Sequence, residues 1–242
     1  PPPGYFPKNV LMNIQGYESL DTVLERGHKA LTAENFEMVA NETNALVLDT
    51  RNATDFANGF IPNSINIGLD GSFAQWVGEM IPDIKQEILL VSNPGYEDEA
   101  MIRLSRVGYD GSIGYLEGGF DTWKKAGKEV DTVKRITAEK FAEIYENEKP
   151  LTIDIRKRSE FQSQHLTDAI NIPLNEINNH LAEFPKDKPF ILHCAGGYRS
   201  MIAASMLKQR GWDNFSDVIG GFTEIAKTNV PKSEYVCPST ML

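Results

Sequence analysis

Apolar and polar positions along this chain run through the same order of short segments twice. Strand-like apolar runs occur at Ala45–Leu48 and Ile88–Val91, and again at Leu151–Ile155 and Phe190–His193. Runs of four or five residues bounded by polar or turn residues suit buried strands. A further strand is centred on Ile65-Asn66-Ile67 and its counterpart Ile170-Asn171-Ile172, and a last short one precedes Gly118-Gly119-Phe120 and Gly220-Gly221-Phe222. Helical patterns separate the strands. Each unit opens on Thr-Ala-Glu (from Thr32 and from Thr137), with the hydroxyl as N-cap and the acid in the first turn. A second helix ends at Gly108 or Gly211, residues suited to a helix C-terminus, where Lys208 and Arg210 complement the last turn. Strands alternating with helices predict an α/β fold, each unit a mainly parallel sheet flanked by helices.

The repetition extends to residues. Leu31 to Phe36 recurs as Ile136 to Phe141, Leu48-Asp49-Thr50-Arg51 as Ile153-Asp154-Ile155-Arg156, and Ile65-Asn66-Ile67 as Ile170-Asn171-Ile172, all 105 positions apart. The Gly-Gly-Phe pair recurs 102 positions apart. A period of about 100 residues is the size of a domain, not of a solenoid repeat. The chain therefore reads as a tandem duplication: an arm over 1–28, one domain over 29–130 and a second over 131–242. Pro1-Pro2-Pro3-Gly4 and Pro7 predict an extended, solvated arm. Residues 129–135 read as a short connection, which predicts two domains side by side with a cleft between them.

Composition narrows the class. With 41% hydrophobic and 24% charged residues in 242, the chain reads as an ordinary globular protein. A net charge of −10 argues against nucleic acid or an anionic membrane as partner. No apolar run has the length of a membrane span, and no signal-like N-terminus is visible. The first residue is Pro1, so the sequence reads as a processed or trimmed product or a piece of something longer. Two cysteines, Cys194 and Cys237, make a poor disulfide framework and point to a reducing, cytoplasmic setting. The four histidines lack metal-ligand spacing, and no cofactor is expected.

Candidate chemistry gathers where an apolar run delivers Cys194 into Ala195-Gly196-Gly197-Tyr198-Arg199-Ser200. The paired glycines let successive amides converge on one point. A helix from about Ser200 to Arg210 aims its positive end there. Arg199 adds a formal charge, and settings of this kind favour the thiolate. The competing reading, a buried cysteine packed as a small hydrophobe, fits this loop less well. Arg199 has two open readings: contact with a substrate anion, or a brace onto an acid such as Asp154 or Glu160.

These residues resemble a known family. Asp154-Ile155-Arg156, Ser159-Glu160-Phe161, His165-Leu166, Ala169 to Pro173, the loop Cys194 to Ser200 and Gly220-Gly221-Phe222 together resemble a rhodanese domain, and the resemblance reaches the first unit too. It implies two tandem rhodanese-like domains and a sulfurtransferase that works through a Cys194 persulfide. The donor would be thiosulfate or a low-molecular-weight persulfide, and the acceptor a thiol or cyanide. Ala195, Gly196, Gly197, Tyr198 and Ser200 would form the substrate loop, Arg199 would act with Cys194, and Asp154, Arg156 and Glu160 would support it. Gln164 and Asp168 depart from the family pattern, which has glycine at these places. Cysteine phosphatases and arsenate reductases resemble this loop but space it Cys-x5-Arg. Here it is Cys-x4-Arg, a tighter fit that favours sulfur. A binding or regulatory module is a further alternative.

The first domain has no cysteine. Aligning Leu89-Leu90-Val91 with Leu192-His193-Cys194 puts Val91 at the nucleophile position, and Glu97-Asp98-Glu99 would repel an anion, so this domain reads as inactive. His193 is expected to face away from the thiol, and His165 to hold a turn. Cys237 reads as a bystander or as a resolving thiol. The arm Pro1 to Asn9 resembles the segment that joins a metallo-β-lactamase-like hydrolase domain to rhodanese domains in persulfide-oxidising fusion proteins, which implies a hydrolase-like partner domain.

Overall fold

The computed structural model describes residues 19–237. The proline-rich start of the arm lies outside the described residues. The chain divides into two units between Thr132 and Val133. The first unit runs α1 (Leu20–Gly27), β1 (Ala30–Leu31), α2 (Ala33–Glu42), β2 (Leu46–Asp49), α3 (Ala53–Asn58), β3 (Ile65–Asn66), α4 (Phe73–Met80), β4 (Ile88–Val91), α5 (Glu97–Ser105), β5 (Ser112–Leu116) and α6 (Phe120–Lys125). The second runs β6 (Arg135–Ile136), α7 (Ala138–Glu148), β7 (Leu151–Asp154), α8 (Arg158–Ser163), β8 (Ile170–Asn171), β9 (Phe190–His193), α9 (Tyr198–Gln209), β10 (Phe215–Val218) and α10 (Gly221–Ile225). Two 3₁₀ turns, Leu174–Asn179 and Leu181–Glu183, stand where the first unit has α4.

Each unit is an α/β domain with one five-stranded sheet, ordered β1-β5-β4-β2-β3 and β6-β10-β9-β7-β8. Every strand pair within them is parallel. Sheets of this kind are buried on both faces, which explains the continuous apolar runs. All four residues of β4 and of β9 are buried, the latter ending in His193. Phe36, Leu89 and Trp123 anchor the core of one unit, and Phe141, Ile191 and Val218 that of the other. Thr32 and Thr137 cap their helices, accepting from Asn35 N and Lys140 N at 3.3 and 3.2 Å. Gly108 and Gly211, both at φ 82°, close the second helices as the pattern predicts.

Three details differ from the sequence reading. Each sheet has a fifth strand, β1 or β6, which at two residues leaves no periodic signal. Residues 20–27, placed in the arm, form a helix capped by Ser19, with Val23 and Gly27 buried. The segment read as a connection carries structure too: Asp131 bridges to Phe60, and Arg135 begins β6.

Candidate active site

Both units contain the same buried brace at the end of their second strand. Arg156 donates from Nε to both Asp154 oxygens at 3.0 and 2.9 Å, and from Nη2 to Oδ2 at 2.6 Å and to the Gln164 carbonyl at 2.9 Å. Its guanidinium lies 3.9 Å from the Phe222 ring centre. Arg51 repeats every contact, with Asp49 (3.0, 3.1 and 2.6 Å), the Gly59 carbonyl (2.8 Å) and the Phe120 ring (4.2 Å). Asn171 and Asn66 tie the flanking carbonyls in the same way. A device present in a unit that has no cysteine belongs to the fold before it belongs to chemistry. The departure at Gln164 is also explained: φ is −165° there and 168° at Gly59, extended backbone open to any residue. Asp168, the other departure, accepts from the Tyr145 hydroxyl at 2.6 Å.

Cys194 follows β9 directly and is 1% exposed. Its Sγ accepts the Gly197 N–H at 3.1 Å. Gly197 adopts φ 104°, a left-handed conformation natural to glycine, and α9 starts at Tyr198, two residues earlier than its apolar pattern suggests. The loop's carbonyls are engaged elsewhere. The Cys194 carbonyl accepts from Phe222 N at 2.7 Å, and that of Ala195 from Thr223 N and Oγ1 at 3.0 and 2.9 Å. Gly221, at φ 54°, leaves no room for a Cβ against these carbonyls. Gly-Gly-Phe thus serves as the back wall of the loop, a role its sequence did not disclose.

The remaining loop residues are placed as follows. Gly196 is exposed, Ala195 and Tyr198 are half-buried, and Ser200 is buried with its hydroxyl donating to the Gly197 carbonyl at 3.1 Å. Arg199 is a brace in this structure: its two terminal nitrogens hold Glu160 at 2.5 and 2.8 Å, whereas Asp154 is committed to Arg156. Burial pushes the Glu160 carboxyl up, but the bonds and charge of Arg199 outweigh it and hold the group below the usual carboxylate range. His193 is fully buried, with Nε2 lacking a hydrogen-bond partner among the described residues. Burial lowers its pKa, so the ring is neutral and packs beside Phe222. His165 stacks on Phe161 and bonds its carbonyl at 2.7 Å. Cys237 is exposed, beyond a tail segment in which Val236 N donates to the Ser163 carbonyl at 2.8 Å.

The first unit requires a correction: Ser92, not Val91, occupies the position equivalent to Cys194. Val91 lies opposite Asp49 in its ladder as His193 lies opposite Asp154, and the Thr50 and Ile155 amides donate to those two residues' carbonyls at 2.8 and 3.0 Å. Apolar character alone aligns the two strands one residue out of register, because a buried histidine, His193, takes an apolar strand position. The 102-residue spacing of the Gly-Gly-Phe pair was the signal for the true register. In that register Gly95 (φ 89°) matches Gly197 and Tyr96 matches Tyr198. The Ser92 hydroxyl pairs with that of Thr50 at 2.7 Å. Pro94 stands at Gly196 and has no N–H. Glu97 stands at Arg199, and its carboxylate accepts the Gly95 N–H at 2.8 Å, the counterpart of the amide that meets the thiol. The cradle is filled from within. Beside it, a depression of about 320 Å³ includes Asp55, Asn93, Pro94, Asp121 and Lys124 in its lining.

Among the described residues no group of three metal-type side chains comes together, and no helix is long and apolar enough to cross a membrane.

The chain is similar to several known proteins. A sulfurtransferase of Allochromatium vinosum is 29% identical over 100 residues, covering 41% of this chain and 94% of that protein. The thiosulfate sulfurtransferase GlpE of Pseudomonas syringae is 30% identical over 99 residues, 41% of this chain and 92% of that one. Among solved structures, a rhodanese-related protein of Thermoplasma volcanium is 32% identical, with a TM-score of 0.37 over 41% of this chain and 97% of its own. The rhodanese-like domain profile matches twice, over residues 32–126 and 137–228. With both units matched, the chain belongs to the rhodanese-like family, as two tandem domains.

Proposed function

We propose that the second unit is a sulfurtransferase that carries a sulfane sulfur on Cys194, and that the first unit is catalytically silent. The observation that carries this reading is the buried Sγ with the Gly197 amide 3.1 Å away, in a loop whose carbonyls are held by Phe222 and Thr223. A fixed amide aimed at sulfur favours an anion there without reorganising during reaction.

The step is a displacement. The Cys194 thiolate attacks the outer sulfur of a donor, forming a Cys194 persulfide as the donor's sulfur–sulfur bond breaks. Thiosulfate would leave sulfite, and a low-molecular-weight persulfide would leave its thiolate. An acceptor thiolate or cyanide then attacks the outer sulfur, and Cys194 departs as thiolate. No net oxidation is needed. Arg199, engaged with Glu160, positions the loop, and Ala195, Gly196, Tyr198 and Ser200 form the entrance and first turn around the sulfur. The names of the relatives, sulfurtransferase and thiosulfate sulfurtransferase, support the same class. A reducing compartment such as the cytoplasm suits a thiol kept available.

The test is the intact mass of wild type and Cys194→Ser after incubation with thiosulfate or glutathione persulfide. Wild type should gain the mass of one sulfur and the variant none. No gain with either donor across pH would put a protein-binding module ahead, and hydrolysis of an aryl phosphate would revive the phosphatase reading.

A further inference from the structure

Behind the cysteine loop the second unit buries a charge pair that its sister unit lacks. Arg135 of β6 and Asp217 of β10 are ladder partners, with Arg135 Nε 3.0 Å from Asp217 Oδ2 and side chains 12% and 0% exposed. The same ladder positions in the first unit hold Ala30 and Tyr115. Burying two charges carries a desolvation cost that apolar residues avoid. The sister sheet forms with the same strand order without them, so the fold does not require the pair.

Its location gives it a use. A Cβ built on Gly197 would lie 3.5 Å from Arg135 Nη2, so the guanidinium backs the residue whose amide meets the thiol. Asp217 holds that guanidinium from the neighbouring strand. Its Oδ1 has no hydrogen-bond partner among the described residues, the one proton of the Ser200 hydroxyl goes to the Gly197 carbonyl, and Arg135 favours the ionised form of the acid. Burial still dominates and pushes the Asp217 carboxyl up to about 6, which leaves it mostly ionised at pH 7.5.

We propose that Arg135 and Asp217 are an electrostatic positioning pair for Cys194: Arg135 supplies positive potential behind Gly197 that favours the sulfur anion, and Asp217 holds Arg135 in place and tempers that potential. The inference deepens the sulfurtransferase reading and rests on it for its purpose, but its test reads the thiol directly.

The rate of iodoacetamide alkylation of Cys194, resolved from Cys237 by peptide mass spectrometry, is followed against pH in the full chain. Asp217→Asn removes a negative neighbour and should move the midpoint down by on the order of one pH unit. Arg135→Gln removes the cation and should move it up by about as much. The double variant should return close to wild type. A merely structural pair would move both single variants the same way, and that result, or no movement in folded variants, overturns the proposal. If one single variant does not fold, the other decides, read against the double variant: Asp217→Asn must lie below the double variant or Arg135→Gln above it, and no difference or the opposite one overturns the proposal. Sulfur loading is scored separately by mass. Opposite midpoint shifts without loading would sink the sulfurtransferase reading alone, and loading without shifts would sink the pair alone.

Discussion

The two loops that follow β4 and β9 share a backbone and differ in what that backbone can hold. Both turn through a left-handed glycine, Gly95 or Gly197, into a helix, and both rest on a Gly-Gly-Phe wall and an Asp-x-Arg brace. In one, a serine hydroxyl is tied to Thr50, a proline removes an amide, and Glu97 takes the amide that remains. In the other, the amide meets Sγ, and the residue at Glu97's place is an arginine turned onto Glu160. The fold supplies the loop, and a few side chains decide whether its central amide meets a thiol or a carboxylate.

The largest effect follows from rebuilding one loop as the other. Ser92→Cys alone should not load sulfur, because Glu97 still occupies the cradle and Pro94 still lacks its amide. Ser92→Cys with Pro94→Gly and Glu97→Arg should take up a second sulfur, with Asp55 at the place of Glu160 to receive the new arginine. The converse, Gly196→Pro with Arg199→Glu, should abolish loading while Cys194 remains. Intact mass after donor treatment reads all three. Loading by Ser92→Cys alone would show that the cysteine, not the cradle, is what the first unit lacks.

The next effect concerns what the loops share. Removing one partner of a buried pair leaves an uncompensated charge, a loss of about 3–5 kcal/mol. Asp49→Ala and Asp154→Ala should therefore destabilise their own units by similar amounts in urea. Trp76 and Trp123 report on the first unit and Trp212 on the second, so single-tryptophan variants can follow each unit separately. A loss confined to Asp154→Ala would mean the brace serves the cysteine and not the fold.

Much of this anatomy was legible in the sequence. The duplication, the alternating elements, the threonine caps and the cysteine loop all follow from local pattern, because caps and parallel-strand runs are written in adjacent residues. Registers between strands are not. Ser92 was misplaced by one because apolar character does not separate Val91 from a buried His193, and only the ladder does. Arg135 was read as linker because a two-residue strand has no period, and its partner Asp217 lies 82 residues away. For Arg199 the sequence leaves open both a substrate anion and a brace onto an acid such as Asp154 or Glu160, because the acid that receives it, Glu160, lies 39 residues away.

That last pair gives the smallest and most discriminating difference. Glu160 is held below the usual carboxylate range by Arg199, so the pair contributes stability that is present above the ordinary glutamate pKa of 4.5 and lost as pH falls through the folded value. The side chains are 15% and 34% exposed, which limits the contribution to about 1 kcal/mol or less. Glu160→Gln should therefore leave the urea midpoint of the second unit little changed at pH 7 and reduce its acid sensitivity below pH 5. Sulfur loading should slow more than stability falls, because the freed Arg199 no longer fixes the turn between Gly197 and α9. The matching acid, Asp55, is bonded instead to Asn52 Nδ2 at 2.7 Å and is exposed. Asp55→Asn should change neither the acid limb nor the loading of the second unit. If Glu160→Gln were equally silent in loading rate, the Cys194 cradle would be rigid without its arginine brace, and the amide and back wall would account for its geometry by themselves.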